Sequence, residues 1–524
     1  MLWFTNNSLS YTITLLICVI ASYPGFYPQT TLNGLALLHS LQALASAPPS
    51  SLTVALASNV CVDLVVPAKD VLLPAPLLSA EHGSTDRAFL STLADLSSAF
   101  TFHAHAGAAG ERSSSPAVMA ALLGPAEASP SARHILGGNA ALMAQKLASQ
   151  GVKVVLGGRI GPKAAALLHP AIQPATPQAP ADDTHLILEY QAGQEFLGVP
   201  APRANRFIVT TGVPEDAPLA VAQAVAQGAA QGAGVLVLSG LHALENLPAQ
   251  QRAATLAAIA AALATRPPTL PVHVELASVA SAEYLAAVCS AILTPHAASL
   301  GFNEGEAAAL YEALGGNYSS AKGSSAPGLP KDRAELTALV PKVASVASLL
   351  RHLFRALPLL TRAHFHCLAH HIVVHRVGGG GGSAAGAGAG AGAGSPSHGP
   401  WSSNPAGAAA AGALACATQA CDTSVAGATQ GQFYALCPTR MAVGDVEVGS
   451  GVTVVRRLST SSSAAGSGGR VAAEWQWPLA RGGGEEGQQL HFAAVPVPVC
   501  ASPTRTVGLG DAVSAAALGA DMAA

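Results

Sequence analysis

The chain has 524 residues, 50% of them hydrophobic, so it can bury a large core, and at roughly 150 residues per domain two or three units are expected. Lys and Arg number 26 against 29 Asp and Glu, a net charge of −3, which excludes the basic footprint of a nucleic-acid binder. Eight cysteines (Cys18, Cys61, Cys289, Cys367, Cys416, Cys421, Cys437, Cys500) in so long a chain do not make a disulfide scaffold, and none has the C-x-x-C spacing of a zinc site.

Residues 1–50 read as a signal or signal-anchor and leader. Ser10 to Ser22 is an apolar run, shorter than the ~20 residues of a spanning helix but suited to a signal-peptide core, and it is the one segment through which the chain could meet a membrane. No Lys or Arg precedes it and the first charged residue is Asp63, so the basic flank of a signal is missing; a disordered leader is the alternative. Asn6-Asn7-Ser8 and Asn317-Tyr318-Ser319 are glycosylation sequons that matter only on the secretory route.

From there apolar, β-rich runs alternate with Ala-rich helical stretches. Val54–Ala57, Cys61–Val66, Val152–Leu156, Leu186–Tyr190, Gly234–Leu238, Val272–Leu276 and Ala291–Leu293 read as strands. Gly138–Gln150, Leu219–Gln231, Gln250–Thr265 and Asn303–Leu314 carry helix formers at helical spacing, which makes βαβ units and a mostly parallel sheet: the class is α/β. Three stretches break the rhythm: Ser319–Pro330, the Gly/Ala/Ser/Pro run 378–412, and 459–488. Such compositions bury too little apolar area to offset chain entropy, so they read as loops or low-complexity insertions in one continuous domain. Cys416 and Cys421 are close enough for a local bridge in an oxidising compartment, with buried free thiols the reading for most of the others.

The sharpest motif lies near the C-terminus. In Thr504-Arg505-Thr506-Val507-Gly508-Leu509-Gly510-Asp511 two glycines let the backbone turn tightly and approach a ligand, and an Ala-rich helix follows. The first N–H groups of that helix and its dipole would hold a phosphate, with Asp511, ionised at neutral pH, beside it to accept a hydroxyl proton. The same pattern also serves as a plain helix cap. Asp63 stands on a strand otherwise made of Cys61, valines and Leu64, where a carboxylate needs a partner or a cleft. Gly137-Gly138-Asn139 opens a helix and could offer its N–H groups and the Asn139 amide to a polyol.

Period two puts His273 and Glu275 on one side of their strand, and three-residue spacing puts Asn303 and Glu306 on one helical face. Mg²⁺ takes oxygen ligands and keeps several waters, so one or two such carboxylates near a phosphate would suffice. His364, His366, His370 and His371 lack the H-E-x-x-H pattern of a zinc site and read as part of a strand-like core run.

These residues, in order, resemble the ADP-dependent glucokinases of the ribokinase-like fold, the eukaryotic branch more closely than the archaeal one. Ten collinear pieces carry the resemblance: Asn59–Val66, Gly137–Leu147, Asp183–Glu195, Ala204–Ile208, Val235–His242, Pro271–Ser278, Ser299–Glu306, Thr361–Ile372, Ala415–Thr423 and Thr504–Ala515. It implies a kinase domain over 51–524: a three-layer sandwich around a central, mostly parallel sheet, and a smaller β-rich lid from segments within about 59–215. It further implies transfer of the β-phosphoryl of ADP to the 6-hydroxyl of D-glucose, giving glucose 6-phosphate and AMP.

The resemblance assigns Asp511 as general base and the N–H groups of Gly508, Leu509 and Gly510 as the anion hole. Asp63, Glu111, Gly138 and Asn139 become sugar contacts and Arg206 a phosphate contact. Glu275 and Glu306, with Asn303 nearby, become organisers of Mg²⁺ through waters. A monomer with only small-molecule partners, in the endoplasmic reticulum or secretory pathway or else in the cytoplasm, is expected. Two departures stand out: the archaeal pattern has Asn where this chain has Cys61, and it lacks the insertions. An ATP-using ribokinase-like sugar kinase would share the G-x-G-D loop, and a catalytically silent sugar-binding scaffold would have lost Asp511 or the acidic pair, which this chain keeps.

Overall fold

The computed structural model describes residues 34–74, 77–211, 216–245, 247–277, 281–318, 330–377, 400–436, 453–459, 470–479, 488–503 and 508–522. Ser10 to Ser22 and Thr504 to Val507 lie outside these. An eleven-stranded sheet forms the centre. Ile172–Pro174, Lys153–Leu156, Thr53–Ser58, Val235–Ser239, Val272–Glu275, Ala297–Phe302 and Arg362–His366 run side by side and parallel. His370–Val377, Gln489–Pro496, Arg470–Pro478 and Thr453–Ser459 extend it antiparallel.

Helices cover both faces, as the uniformly apolar strands require. In Val235–Ser239, Leu236 and Leu238 pack on one side with Val221, Leu256, Ile259 and Tyr284, while Val235 and Val237 pack on the other with Ala144, Ala515 and Leu518. The result is the three-layer α/β sandwich expected from the alternation of elements.

A second, six-stranded sheet is drawn from chain between Cys61 and Thr210. Its order is Phe89–Leu90, Gly110–Ser114, Asn205–Thr210, Thr184–Tyr190, Cys61–Pro67 and Arg133–Gly137. Strict alternation splits its residues. Leu64, Val66, Leu186, Leu188, Phe207 and Val209 enter a core shared with Phe100 and Leu122, while Asp63, Glu111, His185, Arg206 and Ile208 face a cavity.

Several expectations are corrected. Ala291–Leu293 is not a strand: Cys289–Leu293 is a π-helical turn, and the strand is Ala297–Phe302, because a short apolar run carries no period that separates helix from strand. The 378–412 stretch is not all insertion. Pro405–Ala420 is a buried helix, capped by Asn404, whose Oδ1 accepts from the N–H of Gly407. Its small residues let it lie against the last helix: a Cβ on Gly412 would come within 3.2 Å of Ala517. The 459–488 stretch likewise contains the strand Arg470–Pro478.

Within 1–50, Gly34–Leu44 is a helix rather than leader. Leu37 and Leu41 pack on Ala408, Ala409 and Ala413, and with no charge on the opposite face it lacked the polar contrast that marks a helix in sequence. Finally, the local bridge is not Cys416 with Cys421. Cys421 pairs with Cys500, Cα–Cα 5.5 Å apart, and Cys416 is a buried free thiol, because the chain between 421 and 500 returns through the sheet to bring distant residues together.

Candidate active site

The last helix, Leu509–Asp521, begins from Gly508, whose φ of 66° is left-handed. A Cβ there would sit 2.7 Å from Leu142, so both the turn and the packing demand glycine. Leu509, Gly510 and Asp511 form the first turn, whose N–H groups have no intrahelical acceptor. A second helix start meets this one. Gly138 (φ 85°) lies against the Asn59 carbonyl, which is 2.6 Å from where a Cβ would be, and delivers Asn139 as the first helical residue. Asn139 Nδ2 donates to Asp511 Oδ1 at 2.9 Å.

Asp511 is 7% exposed. Burial pushes its carboxyl up to about 7, with the Asn139 amide pulling the other way and the nearby Glu275 charge adding to the rise. The expectation of an ionised acid took the value of an exposed aspartate, and burial moves Asp511 up from it.

Glu275 ends its strand beneath that helix. Ser514 Oγ donates to Glu275 Oε1 at 2.7 Å, His366 Nε2 lies 3.4 Å from the same oxygen, and His273 Nε2 lies 3.2 Å from Oε2. Burial would raise this carboxyl, but His273 and His366 outweigh it and bring it to about 2. Gly301, on the neighbouring strand, leaves room for it: a Cβ there would fall 1.8 Å from Glu275 Oε2. Asn303 is the cap of the helix Glu304–Ala313 rather than a member of its face. Its Oδ1 accepts from the N–H groups of Gly305 and Glu306, and Glu306 returns its carboxylate to the Asn303 N–H and amide. Burial holds the Glu306 carboxyl well above its usual range, and Glu275, Glu304 and Asp511 add to the rise, a measure of how closely the four acids gather.

The cavity beside Asn139 is about 180 Å³, lined by Asp63, Glu111, Gly138, Asn139 and Arg206, all singled out in the sequence. His185, His242, Asn59 and Leu142 line it as well. The Arg206 Nε is buried and has no partner among the described residues. Arg206 therefore stands with the polar groups expected to hold a sugar. Asn139 belongs to both groups, facing the cavity and holding Asp511.

The sequence pointed to none of His185, His242, His366 or Ser514 as site residues. His185 lies opposite Asp63 only through strand pairing. Ser514 had a usable signal, since three-residue spacing from Asp511 places it on the same helical face.

A carboxylate at an anion-attracting helix start, joined by one amide to a small polar cavity at the edge of a three-layer α/β sandwich, is the layout of a site that transfers a phosphoryl group to a hydroxyl. The region characteristic of ADP-specific phosphofructokinases and glucokinases matches residues 52–520, and the chain belongs to this family. An ADP-dependent glucokinase of Bos taurus is 33% identical over 475 residues, 89% of this chain and 83% of the relative. A probable ADP-dependent glucokinase of Caenorhabditis elegans is 32% identical over 60% of this chain and 63% of its own length. Among solved structures, a hypothetical ADP-dependent phosphofructokinase of Pyrococcus horikoshii OT3 superposes with a TM-score of 0.58 at 15% identity, over 90% of this chain and 98% of the other. A last common ancestor of the Methanosarcinales phosphofructokinases gives 0.57 at 16%, over 93% and 96%. These two establish a shared fold.

Proposed function

We propose that this protein transfers the β-phosphoryl group of ADP to the 6-hydroxyl of D-glucose, forming glucose 6-phosphate and AMP. The observation that carries the reading is the Asn139–Asp511 hydrogen bond, which sets a proton acceptor between a sugar-sized cavity and the anion-attracting start of the last helix. The named bovine relative supports glucose and ADP over other pairs.

In the reaction the 6-oxygen attacks the β-phosphorus and the bond from that phosphorus to the bridging oxygen breaks. AMP leaves with the electron pair, and the hydroxyl proton passes to Asp511. The N–H groups of Gly508, Leu509 and Gly510 would face the equatorial oxygens, where fixed donors in a dry site lower the barrier most. Asp63, Glu111, Gly138 and Asn139 would hold the sugar hydroxyls, and Arg206, on the wall of the same cavity, would reach a phosphate oxygen from the sugar side. The second sheet, acting as a lid, would keep water from the donor.

The acidic residues fit Mg²⁺. A carboxylate has about four lone-pair sites; Glu275 has three neighbours on its oxygens and Glu306 two, so both keep capacity for a hydrated cation, and the donors are all oxygen. Glu275 and Glu306 would hold it through waters, with Asn303, whose amide oxygen is already filled by two N–H groups, fixing Glu306 beside it. When bound, such an ion neutralises charge on the donor phosphates.

The test is a donor assay. Purified protein with Mg²⁺ and glucose should form glucose 6-phosphate far faster from ADP than from ATP; equal or preferred use of ATP would refute the donor assignment, and no product from either would favour a silent scaffold. We also place the protein in the secretory route, on the strength of the Cys421–Cys500 bridge, the exposed Asn317 sequon and the apolar run Ser10 to Ser22. A tagged chain found only in the cytosol would overturn that placement. Among the described residues no helix is long and apolar enough to cross a membrane.

A further inference from the structure

Around Asp63 the cavity wall gathers two further donors, Cys61 and His185, to which the sugar reading gives no role. Cys61 and Asp63 project from the same face of their strand, and Asp63 pairs in register with His185 on the next. Cys61 Sγ lies 3.5 Å from Asp63 Oδ1 and 3.5 Å from His185 Nδ1, and His185 Nδ1 lies 3.8 Å from Asp63 Oδ1. With metal–sulfur bonds of about 2.3 Å and metal–nitrogen or metal–oxygen bonds of about 2.0 Å, a tetrahedral ion needs ligand separations of roughly 3.3 to 3.6 Å. The two sulfur edges already have that length, and the third exceeds it by a few tenths of an ångström.

The surroundings suit an ion too. Cys61 is 1% exposed, so a metal bound there is sheltered behind the cavity wall. Asp183 Oδ2 stands 3.7 Å from His185 Nε2, a carboxylate in ion-pair range on the far side of the imidazole. Gly137, paired with Cys61 across the sheet, keeps the space clear: a Cβ there would sit 2.3 Å from Asp63 Oδ1 and 2.7 Å from Cys61 Sγ. Asp63 and His185 both line the cavity, so the fourth coordination position opens into it.

We propose that Cys61, Asp63 and His185 form a three-ligand site for a borderline-soft divalent cation of the zinc class, opening into the cavity and excluding sugar when filled. One thiolate, one imidazole and one carboxylate select Zn²⁺ or Co²⁺ over Mg²⁺, which takes oxygen alone. The site is separate from the acidic cluster around Glu275 and Glu306. Its occupation takes Asp63 away from the sugar, so metal and sugar compete. The competition rests on the sugar reading of the cavity; the metal binding does not.

Co²⁺ titration of the full, chelator-washed protein tests this, because a cobalt–thiolate bond absorbs in the near ultraviolet. One equivalent should bind with that band, Zn²⁺ should displace it, and millimolar Mg²⁺ should not. The band should vanish in Cys61→Ser and Cys61→Ala, each checked for native circular dichroism, and persist in Cys416→Ser. No band in the wild type, or one that survives in Cys61→Ser, overturns the site. At a metal concentration ten times its dissociation constant the apparent glucose affinity should fall about tenfold. If calorimetry shows glucose binding the metal-free protein while added glucose leaves the cobalt band untouched, competition is refuted. A band in a protein that binds no glucose upholds the metal site and refutes the sugar reading instead.

Discussion

The side-chain amide of Asn139 donates to Asp511 Oδ1 at 2.9 Å, joining residues 372 positions apart at the meeting of two helix starts. The bond aims the carboxylate and favours its ionised form against a burial that raises it to about 7. As a base, Asp511 works only when ionised, so kcat/KM for the sugar should climb on an acid limb near pH 7 and level off above it. Removing the amide removes an interaction with a charged group worth about 1.5–3 kcal/mol, or roughly one to two pH units. Asn139→Ala should therefore move that limb upward as well as weaken sugar binding. A pH–rate profile reads both effects, and an unmoved limb would detach Asn139 from the base.

Replacing the base itself separates activity from stability. Asp511→Asn should lower turnover by about 10²–10⁴, the usual worth of a positioned base. The folded carboxyl titrates above its unfolded value of 3.8, so holding it ionised destabilises the fold. That penalty is absent below about pH 4 and fully developed above about 7. Asp511→Asn should consequently be more stable than the wild type at pH 8, by on the order of 1 kcal/mol or more, and gain nothing at pH 4. Thermal melts at the two pH values check this.

At the other end of the same helix Asp521 is buried with Arg362 and His375. His375 Nε2 is 2.8 Å from Asp521 Oδ2, and Ser402 Oγ donates to Oδ1 at 3.1 Å. Burial opposes the charge, but His375 and Arg362 prevail and hold the carboxyl below its usual value. Its contribution is therefore present above about pH 4 and lost as pH falls through the depressed value. Asp521→Ala leaves Arg362 buried and unpaired and should cost about 3–5 kcal/mol, seen as a lower denaturant midpoint at neutral pH.

The Cys421–Cys500 bridge closes a loop across 79 positions. Restricting the unfolded chain by such a loop stabilises typically by about 2–4 kcal/mol, so Cys421→Ser, or reduction of the wild type, should lower Tm by several degrees. Non-reducing peptide mapping should recover the Cys421 and Cys500 peptides as one species, and a Cys416–Cys421 species instead would contradict the pairing.

The alternation of apolar strands with Ala-rich helices was enough to mark the sandwich, because strands buried on both faces must be apolar throughout and their crossovers need helices. The glycines around Asp511 were equally legible, since backbone geometry acts within a few residues, whereas Asn303 read as part of a helical face and proved to be the cap before it. Ala291–Leu293 failed for the same reason in reverse: three residues hold no period. The Gly/Ala run that ends in the helix Pro405–Ala420 reads as insertion by composition alone, and only its fit against the last helix shows why small residues are needed there.

What the linear order could determine by itself were the local devices: the glycine turn before Asp511, the short spacing that brings Glu306 near Asn303, and the one carboxylate, Asp63, on an otherwise apolar strand. Their assembly was decided only by tertiary structure. The Asn139 bond to Asp511, the hold of Ser514 and two histidines on Glu275, the nearness of Cys61 to His185 and the partner of Cys421 all depend on strand order and register. Such contacts join residues far apart in the chain, and no short-range preference encodes which distant group a buried polar atom will find.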